Sequence, residues 1–289
     1  MSVNSFSNNF LNVISWNCHR LDGIAKDNLI LSKMAKETSA DIITLIESSN
    51  DGACIASLLS QSGISYTYIN SSTGDGDIKV FAKSQCVVAK KNCNERWCSI
   101  AYTDAQGSTS QMYFVHLPAK NSSNELTRHY RNSKIADAIR KDIKDCNCEY
   151  SFVVGDFNEN PYESTLNSHR CFNALFPSLK NRAFTMTKFS KPYELKTLCA
   201  TDYFINPSWD LFSNNPEASG TFYYKNTTID CLGWHVLDQL IMSVPAYDSI
   251  YKKKSLRVVS SIPSTSFLKD GIPNKKYSDH LPIFFNINK

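Results

Sequence analysis

The 289-residue sequence contains no run of about eighteen or more apolar residues, so no helical membrane span is expected. Its start, MSVNSFSNNF, lacks the basic and then apolar regions of a secretory signal, and a cytoplasmic location is the resulting expectation. Neither sign of charge is in large excess. A net charge of +4 does not mark a nucleic-acid binder, which needs a concentrated basic face, and it only leans toward an anionic substrate. The 10 cysteines do not form the paired C-x-x-C set of a zinc site, since neither Cys93/Cys98 nor Cys146/Cys148 has that spacing, so buried or free thiols are expected. No internal repeat or low-complexity linker marks a boundary. With 42% hydrophobic and 20% charged residues, the chain reads as one globular domain over residues 1–289.

What the sequence does have is a succession of strand patterns. LNVISWN alternates, DIITLIE reads as buried strand, and between them Asp27 is placed to cap a helix with Ile30, Leu31, Met34 and Ala35 at helical spacing. A short helix around Ile55 to Leu59 is followed by strand candidates ISYTYIN, IKVFAK, QCVVAKK, WCSIAYT and QMYFVHL. Ser122 and Glu125 have capping-box spacing before a helix whose apolar face is read as Ile135, Ala138, Ile139 and Ile143. SFVVGDFN, HVLDQLIMS, LRVVSSI and LPIFFNI return to strand, while Pro161 to Tyr224 suggests short helices and long loops. Two sheets packed face to face with helices outside accommodate this order.

Several strands end in polar residues. In VVGDFNENP, alternation sends Asp156 and Asn158 to one side and Phe157 to the other, Gly155 permits an unusual backbone approach, and Pro161 stops the ladder. An Asx-rich turn is the plain explanation of that pair. The first strand delivers Asn17 and the second Glu47, His116 precedes Leu117 and Pro118, and Ser278, Asp279 and His280 precede LPIFFNI. Taken singly, Asn17 reads as a turn residue, Glu47 as a cap and His116 as a structural histidine. Asp238 differs, because a carboxylate within an apolar strand carries a desolvation cost unless it is paired, and His280 is a candidate partner.

SWN (Ser15 to Asn17), LIES (Leu45 to Ser48), VHL (Val115 to Leu117), GDFN (Gly155 to Asn158), VLDQLIMS (Val236 to Ser243) and SDHLPI (Ser278 to Ile283) together resemble, in the same order and over nearly the whole chain, the endonuclease/exonuclease/phosphatase superfamily. GDFN and SDH carry most of the specificity. The resemblance implies an α/β fold, a four-layer α/β/β/α sandwich of the deoxyribonuclease I type, with the site at one edge. It implies that Asp156, oriented by Asn158, activates a water, that His280, held by Asp238, contacts the phosphate, and that His116 serves the leaving group. Asp77 would be an acidic partner of His116. Asn17, Glu47 and Asp279 would hold a metal, and their oxygen donors suit Mg²⁺, with Mn²⁺ as the alternative.

Three features depart from the family pattern. Ile46 stands where Gln often precedes the metal-binding Glu, His19 where Asp or Arg is frequent, and Gln239 where Tyr is common. The activity implied is a metal-dependent phosphodiesterase, read first as a nuclease hydrolysing DNA or RNA by in-line attack of an activated water. The alternative is a phosphatase or phosphodiesterase of a small or lipid-borne phosphoester, such as an inositol phosphate, nucleotide or sphingophospholipid. A binding module that has lost activity is disfavoured, because every core polar motif is present. Nucleic acid is thus the expected partner, with Lys275 and Lys276 as substrate contacts, the run Lys252 to Lys254 as a further basic stretch, and Thr221 to Lys225 and Trp234 as aromatic groups able to stack on bases.

Overall fold

Alternation along the central strands sorts side chains onto two faces, and the computed structural model shows what each face meets. It describes residues 10–19, 28–48, 51–61, 63–69, 78–120, 124–177, 203–213, 215–225, 233–263 and 265–289. The first half runs β1 (Phe10–Asn17), α1 (Asn28–Glu37), β2 (Ile42–Ile46), α2 (Gly52–Ser60), β3 (Tyr66–Tyr68), β4 (Lys79–Lys83), β5 (Val87–Cys93), β6 (Trp97–Thr103) and β7 (Thr109–His116). Then come α3 (Glu125–Cys146), β8 (Tyr150–Asp156), α4 (Ser164–Asn167), β9 (Ala174–Leu175), β10 (Phe204–Ile205), β11 (Phe222–Tyr223), β12 (Trp234–His235) and β13 (Asp238–Ser243). The last are β14 (Arg257–Val258), β15 (Ser261–Ile262), β16 (Thr265–Ser266), β17 (Leu268–Lys269), β18 (Ile272–Pro273) and β19 (Ile283–Asn288).

Two sheets dominate, one ordered β14-β19-β1-β2-β4-β3 and the other β5-β6-β7-β8-β13-β10-β9. On β7, β8 and β13 of the second sheet, Met112, Phe114, Phe152, Val154, Leu240 and Met242 join the core shared with the first sheet. Their neighbours Tyr113, Val115, Val153 and Ile241 instead join a second cluster with Ala136 and Ile139 of α3. This is the period-2 division of a sheet buried on both faces. Phe152 and Phe285 stack across the sheet-to-sheet interface at 6.4 Å. On the far side, Ile30, Leu31, Met34 and Ala35 of α1, with Ile55 and Leu59 of α2, cover the first sheet. The result is the four-layer α/β/β/α sandwich.

Several local expectations change. The α3 cap is Asn124, whose side chain accepts from Thr127 N–H, so the helix starts too late for a Ser122/Glu125 box. Its buried stripe is Arg128, Asn132, Ala136 and Ile139, and Ala138 is exposed, because the sheet-facing line steps by four and three from Asn132. HVLDQLIMS is broken after His235, which puts Asp238 at the first position of β13 rather than inside a strand. LRVVSSI likewise divides into β14 and β15. Cys93 and Cys98 are cross-strand partners on β5 and β6 and form a disulfide, correcting the free-thiol expectation for that pair. Asp27, Asp77 and Ser122 lie outside the described residues. No helix among the described residues is long and apolar enough to cross a membrane.

Candidate active site

Topology explains why the polar residues gather. β1 and β2 are parallel, so Asn17 and Glu47 leave the first sheet at the same edge, and β19, antiparallel to β1, brings Asp279 and His280 to that edge from its amino end. In the second sheet β7 and β8 are parallel and β13 is antiparallel to β8. The register places His116 opposite Asp156 and Asp156 opposite Asp238, so three titratable side chains stand in one row. Alternation puts that row on the face of Phe114, Val154 and Leu240, toward the first sheet.

Asp156 is at the centre of the cluster and is 1% exposed. Its Oδ2 accepts from Asn17 Nδ2 at 2.9 Å and Asn158 Nδ2 at 3.2 Å, and its Oδ1 accepts from Asn158 N–H at 2.7 Å. The Asx turn expected from sequence is therefore present, and it aims the carboxylate rather than merely ending the strand. Asn158 takes a left-handed φ of 51° and also donates to Leu117 O at 2.9 Å. Phe157 points away into the α3-side core, against Phe172 at 5.4 Å. Gly155, at φ 140°, has no room for a Cβ beside the Val115 carbonyl. Burial raises the Asp156 pKa, while the charges of His280 and His116 and the Asn17 bond act in the opposite direction.

Glu47, in a left-handed conformation with φ 55°, faces His116 Nε2 at 3.2 Å and Asn17 Nδ2 at 3.3 Å. The His116 bond holds its pKa down at about 2. Burial disfavours protonated His116, yet the Glu47 bond and the charges of Asp156 and Glu47 outweigh it and raise the pKa. The His116 Nδ1 atom is buried with no hydrogen bond among the described residues. Asn17 Oδ1 accepts from His19 N–H at 3.0 Å. His19 is the residue that sequence reading noted only as a departure from the family pattern. Its Nδ1 lies 3.5 Å from Glu47 Oε2 and 3.6 Å from Asp279 Oδ1.

His280 Nδ1 and Asp238 Oδ2 are 2.8 Å apart, with Asp238 fully buried. Burial opposes charge on His280, but Asp238 and Asp156 prevail and push its pKa up to about 10. The turn that carries His280 is fixed to β1, because Ser278 Oγ donates to Asn17 O at 2.8 Å and accepts from His280 N–H, and Trp16 Nε1 donates to His280 O at 3.0 Å. Ligand atoms of Glu47, His116 and Asp156 lie within 4.8 Å of one another, as do those of Asp156, Asp238 and His280.

Supporting residues lie just beyond, of which sequence reading singled out Gln239 alone. Asn160 Oδ1 accepts from Val236 N–H at 3.0 Å and its Nδ2 meets His235 Nδ1 at 2.9 Å. Gln239, the residue in place of the common Tyr, donates to Glu159 O and accepts from Asn206 Nδ2 at 2.9 Å, tying β13 to the segment after Asn158. Of the lysines, Lys275 lines a groove with Asp279, whereas Lys276 Nζ lies 5.3 Å from the Tyr277 ring. Lys252 packs 4.2 Å over Phe10 at the start of β1. Asn17 ends that strand, about 23 Å away at 3.3 Å per residue, so Lys252 stands at the opposite end of β1 from the cluster.

No protein-family model and no curated protein matches the chain. Solved structures do match. An endonuclease/exonuclease/phosphatase family protein from Leptotrichia buccalis superposes at TM-score 0.56 with 13% identity, over 96% of this chain and 100% of that one. An AP endonuclease from Archaeoglobus fulgidus gives TM-score 0.57 and 15% identity over 96% and 99%. D. rerio TDP2 complexed with a single-strand DNA product gives 0.54 and 14% over 97% and 99%. Together with the sheet order and the four layers, these likenesses establish that the chain has the deoxyribonuclease I-like fold of the endonuclease/exonuclease/phosphatase superfamily.

Proposed function

We propose that residues 1–289 work as one domain that hydrolyses phosphodiester bonds in a polynucleotide, with Asp156 as the base for the attacking water. The observation that carries this reading is the convergence, at one edge of the sandwich, of buried Asp156 with the Glu47–His116 and Asp238–His280 pairs. A DNA product in one structure of the same fold supports the choice of polymer.

The donor chemistry fits a hard divalent cation. Glu47 and Asp279 offer carboxylate oxygens, and Asp279 Oδ1 is buried without a hydrogen bond among the described residues. These two would hold Mg²⁺ or Mn²⁺, which when bound neutralises phosphoryl charge. Asn17 ties Glu47 to Asp156 through its amide nitrogen, and its oxygen, with one lone pair on the His19 N–H, keeps a second that would join the two carboxylates at the metal. Asn158 fixes Asp156, whose pKa burial raises, which makes the carboxylate a stronger base. Asp238 occupies His280 Nδ1, which leaves Nε2 to donate to a phosphoryl oxygen. His116, turned toward Glu47 and 7% exposed, orients that carboxylate, a role preferred here to serving the leaving group.

Glu47→Gln is expected to weaken Mg²⁺ binding, read by titration calorimetry, and to lower turnover with partial recovery at high Mg²⁺. Unchanged affinity removes Glu47 from the metal site.

Function itself is tested with purified protein and Mg²⁺ on plasmid, single-stranded DNA, RNA, abasic duplex, inositol phosphates and sphingomyelin. Oligonucleotide affinity should fall steeply with salt. Lys275→Ala should flatten the log–log slope by about one unit, and Lys276→Ala by less. Hydrolysis confined to inositol phosphates or sphingomyelin, with no oligonucleotide binding at low salt, replaces the nuclease reading with the small-phosphoester one.

A further inference from the structure

Beside Asp279 opens a groove of about 240 Å³, lined by Phe222, Tyr223, Tyr224 and Lys225 on one side and by Ile272, Pro273 and Lys275 on the other. We propose that it is a nucleobase subsite that seats one unpaired base next to the scissile phosphate, an inference that rests on the nuclease reading and narrows it to single-stranded polynucleotides.

Position is the first ground. The Phe222 ring centroid lies 4.8 Å from that of His280, and the two residues form a backbone bridge. Leu281 N–H donates to Thr221 O at 2.7 Å, while Thr221 Oγ1 accepts from Leu237 and Asp238 N–H at 3.1 and 3.0 Å. The aromatic strand is thus bonded to both segments that carry the Asp238–His280 pair. Whatever fills the groove therefore lies beside the Phe222 ring that neighbours His280.

The walls suit a flat, apolar ring. Tyr224 is 47% exposed, and its ring neighbours Phe222 and His235 lie at interplanar angles of 55° and 69°, so neither stacks parallel to it. A base of any sequence has a π-face for such a position. Lys225 and Lys275 stand in the same lining, as expected of a groove that takes a ring from an anionic chain. Its volume is below the roughly 300–1,000 Å³ of pockets for drug-sized ligands, which fits one ring system rather than a base pair.

The platform is also preformed. Tyr223 packs edge-on against Trp234 at 5.3 Å, and Tyr224 N–H donates to Gly233 O at 2.6 Å. Gly233 adopts φ 68° and lies so close under the Tyr223 ring that a Cβ would sit 2.9 Å from it. Little ordering remains to be done when a base arrives. A base within a duplex must first leave its stack, at an unpairing cost that a single strand does not incur.

The test is a series of single-stranded oligonucleotides, in DNA and RNA, each lacking one base at a defined distance from the cleavage point, assayed with the Mg²⁺-loaded protein. The wild type is expected to lose about tenfold or more in kcat/KM at one position adjacent to the cleaved bond, and little elsewhere. In Tyr224→Ala that penalty should disappear, because the base has nothing to stack on, whereas Tyr224→Trp should retain it. This cycle separates the contact from any general damage to folding. Equal penalties in wild type and Tyr224→Ala, penalties of the same size at every position, or faster cleavage at the missing base overturn the subsite while leaving the nuclease reading intact. A wild type that cleaves none of the oligonucleotides overturns both.

Discussion

Asp156→Asn is expected to lower turnover at least about 10²-fold while the protein still folds. The substitution keeps size and planarity and removes the proton acceptor. Burial penalises the charged form of this side chain, so a neutral amide at this position relieves a desolvation cost. Asn17 and Asn158 now donate to a carboxylate and would have to share an amide oxygen, which returns part of that gain. The net expectation is a thermal midpoint close to wild type alongside a collapsed rate. The two measurements together separate the possible roles. A variant that fails to fold makes Asp156 a structural turn residue, and a folded variant with near-normal turnover removes it from the chemistry. Because proton transfer to Asp156 belongs to the chemical step, KM should change much less than kcat.

Much of this site was legible because strands end where their polar residues begin. Alternation predicted that Phe157 would point away from Asp156 and Asn158, and the structure places it in the α3-side core. The order of the six motifs gave the family resemblance, and the fold agrees with it. What alternation does not encode is register between strands distant in sequence. His116, Asp156 and Asp238 share one row because β7, β8 and β13 slide to bury both faces of their sheet, and that is decided by packing of Phe114, Val154 and Leu240 against the first sheet. The Cys93–Cys98 pairing was hidden for a local reason, because it depends on the register of the β5–β6 pair, which shifts between Lys90 and Cys93. Ala138 misled because it is apolar and near the α3 stripe, while the polar Asn132 occupies the buried line and bonds Glu159 and Thr165. Charge density in a sequence says nothing about which end of a strand a lysine run flanks: Lys275 lines the groove with Asp279, while Lys252 packs at the far end of β1. His19 illustrates a further limit. Its position between Glu47 and Asp279 depends on a left-handed backbone, φ 44°, that nothing in the local sequence requires.

His280→Ala is expected to lower kcat/KM by roughly 10²–10³, the scale on which an oriented hydrogen-bond donor stabilises developing charge. Asp238→Asn should lose a comparable factor, and the double variant should be scarcely worse than the poorer single one. Non-additivity follows from geometry: with Nδ1 of His280 bonded to Asp238 Oδ2 at 2.8 Å, the carboxylate has no separate route to the substrate and acts through the imidazole. The pair also sets a pH signature. Asp238 and Asp156 raise the His280 pKa against the opposing effect of burial, so the protonated donor persists well above the ordinary histidine range. A histidine with a raised folded pKa contributes stability that is complete below the unfolded value of about 6.5 and is lost as pH rises through the folded one. Because the protonated imidazole is the donor, the alkaline limb of kcat/KM should also move to lower pH in Asp238→Asn, where the carboxylate no longer holds the proton. Fully additive losses, with an alkaline limb that stays in place, would separate Asp238 from His280 and leave the buried carboxylate with a purely structural role.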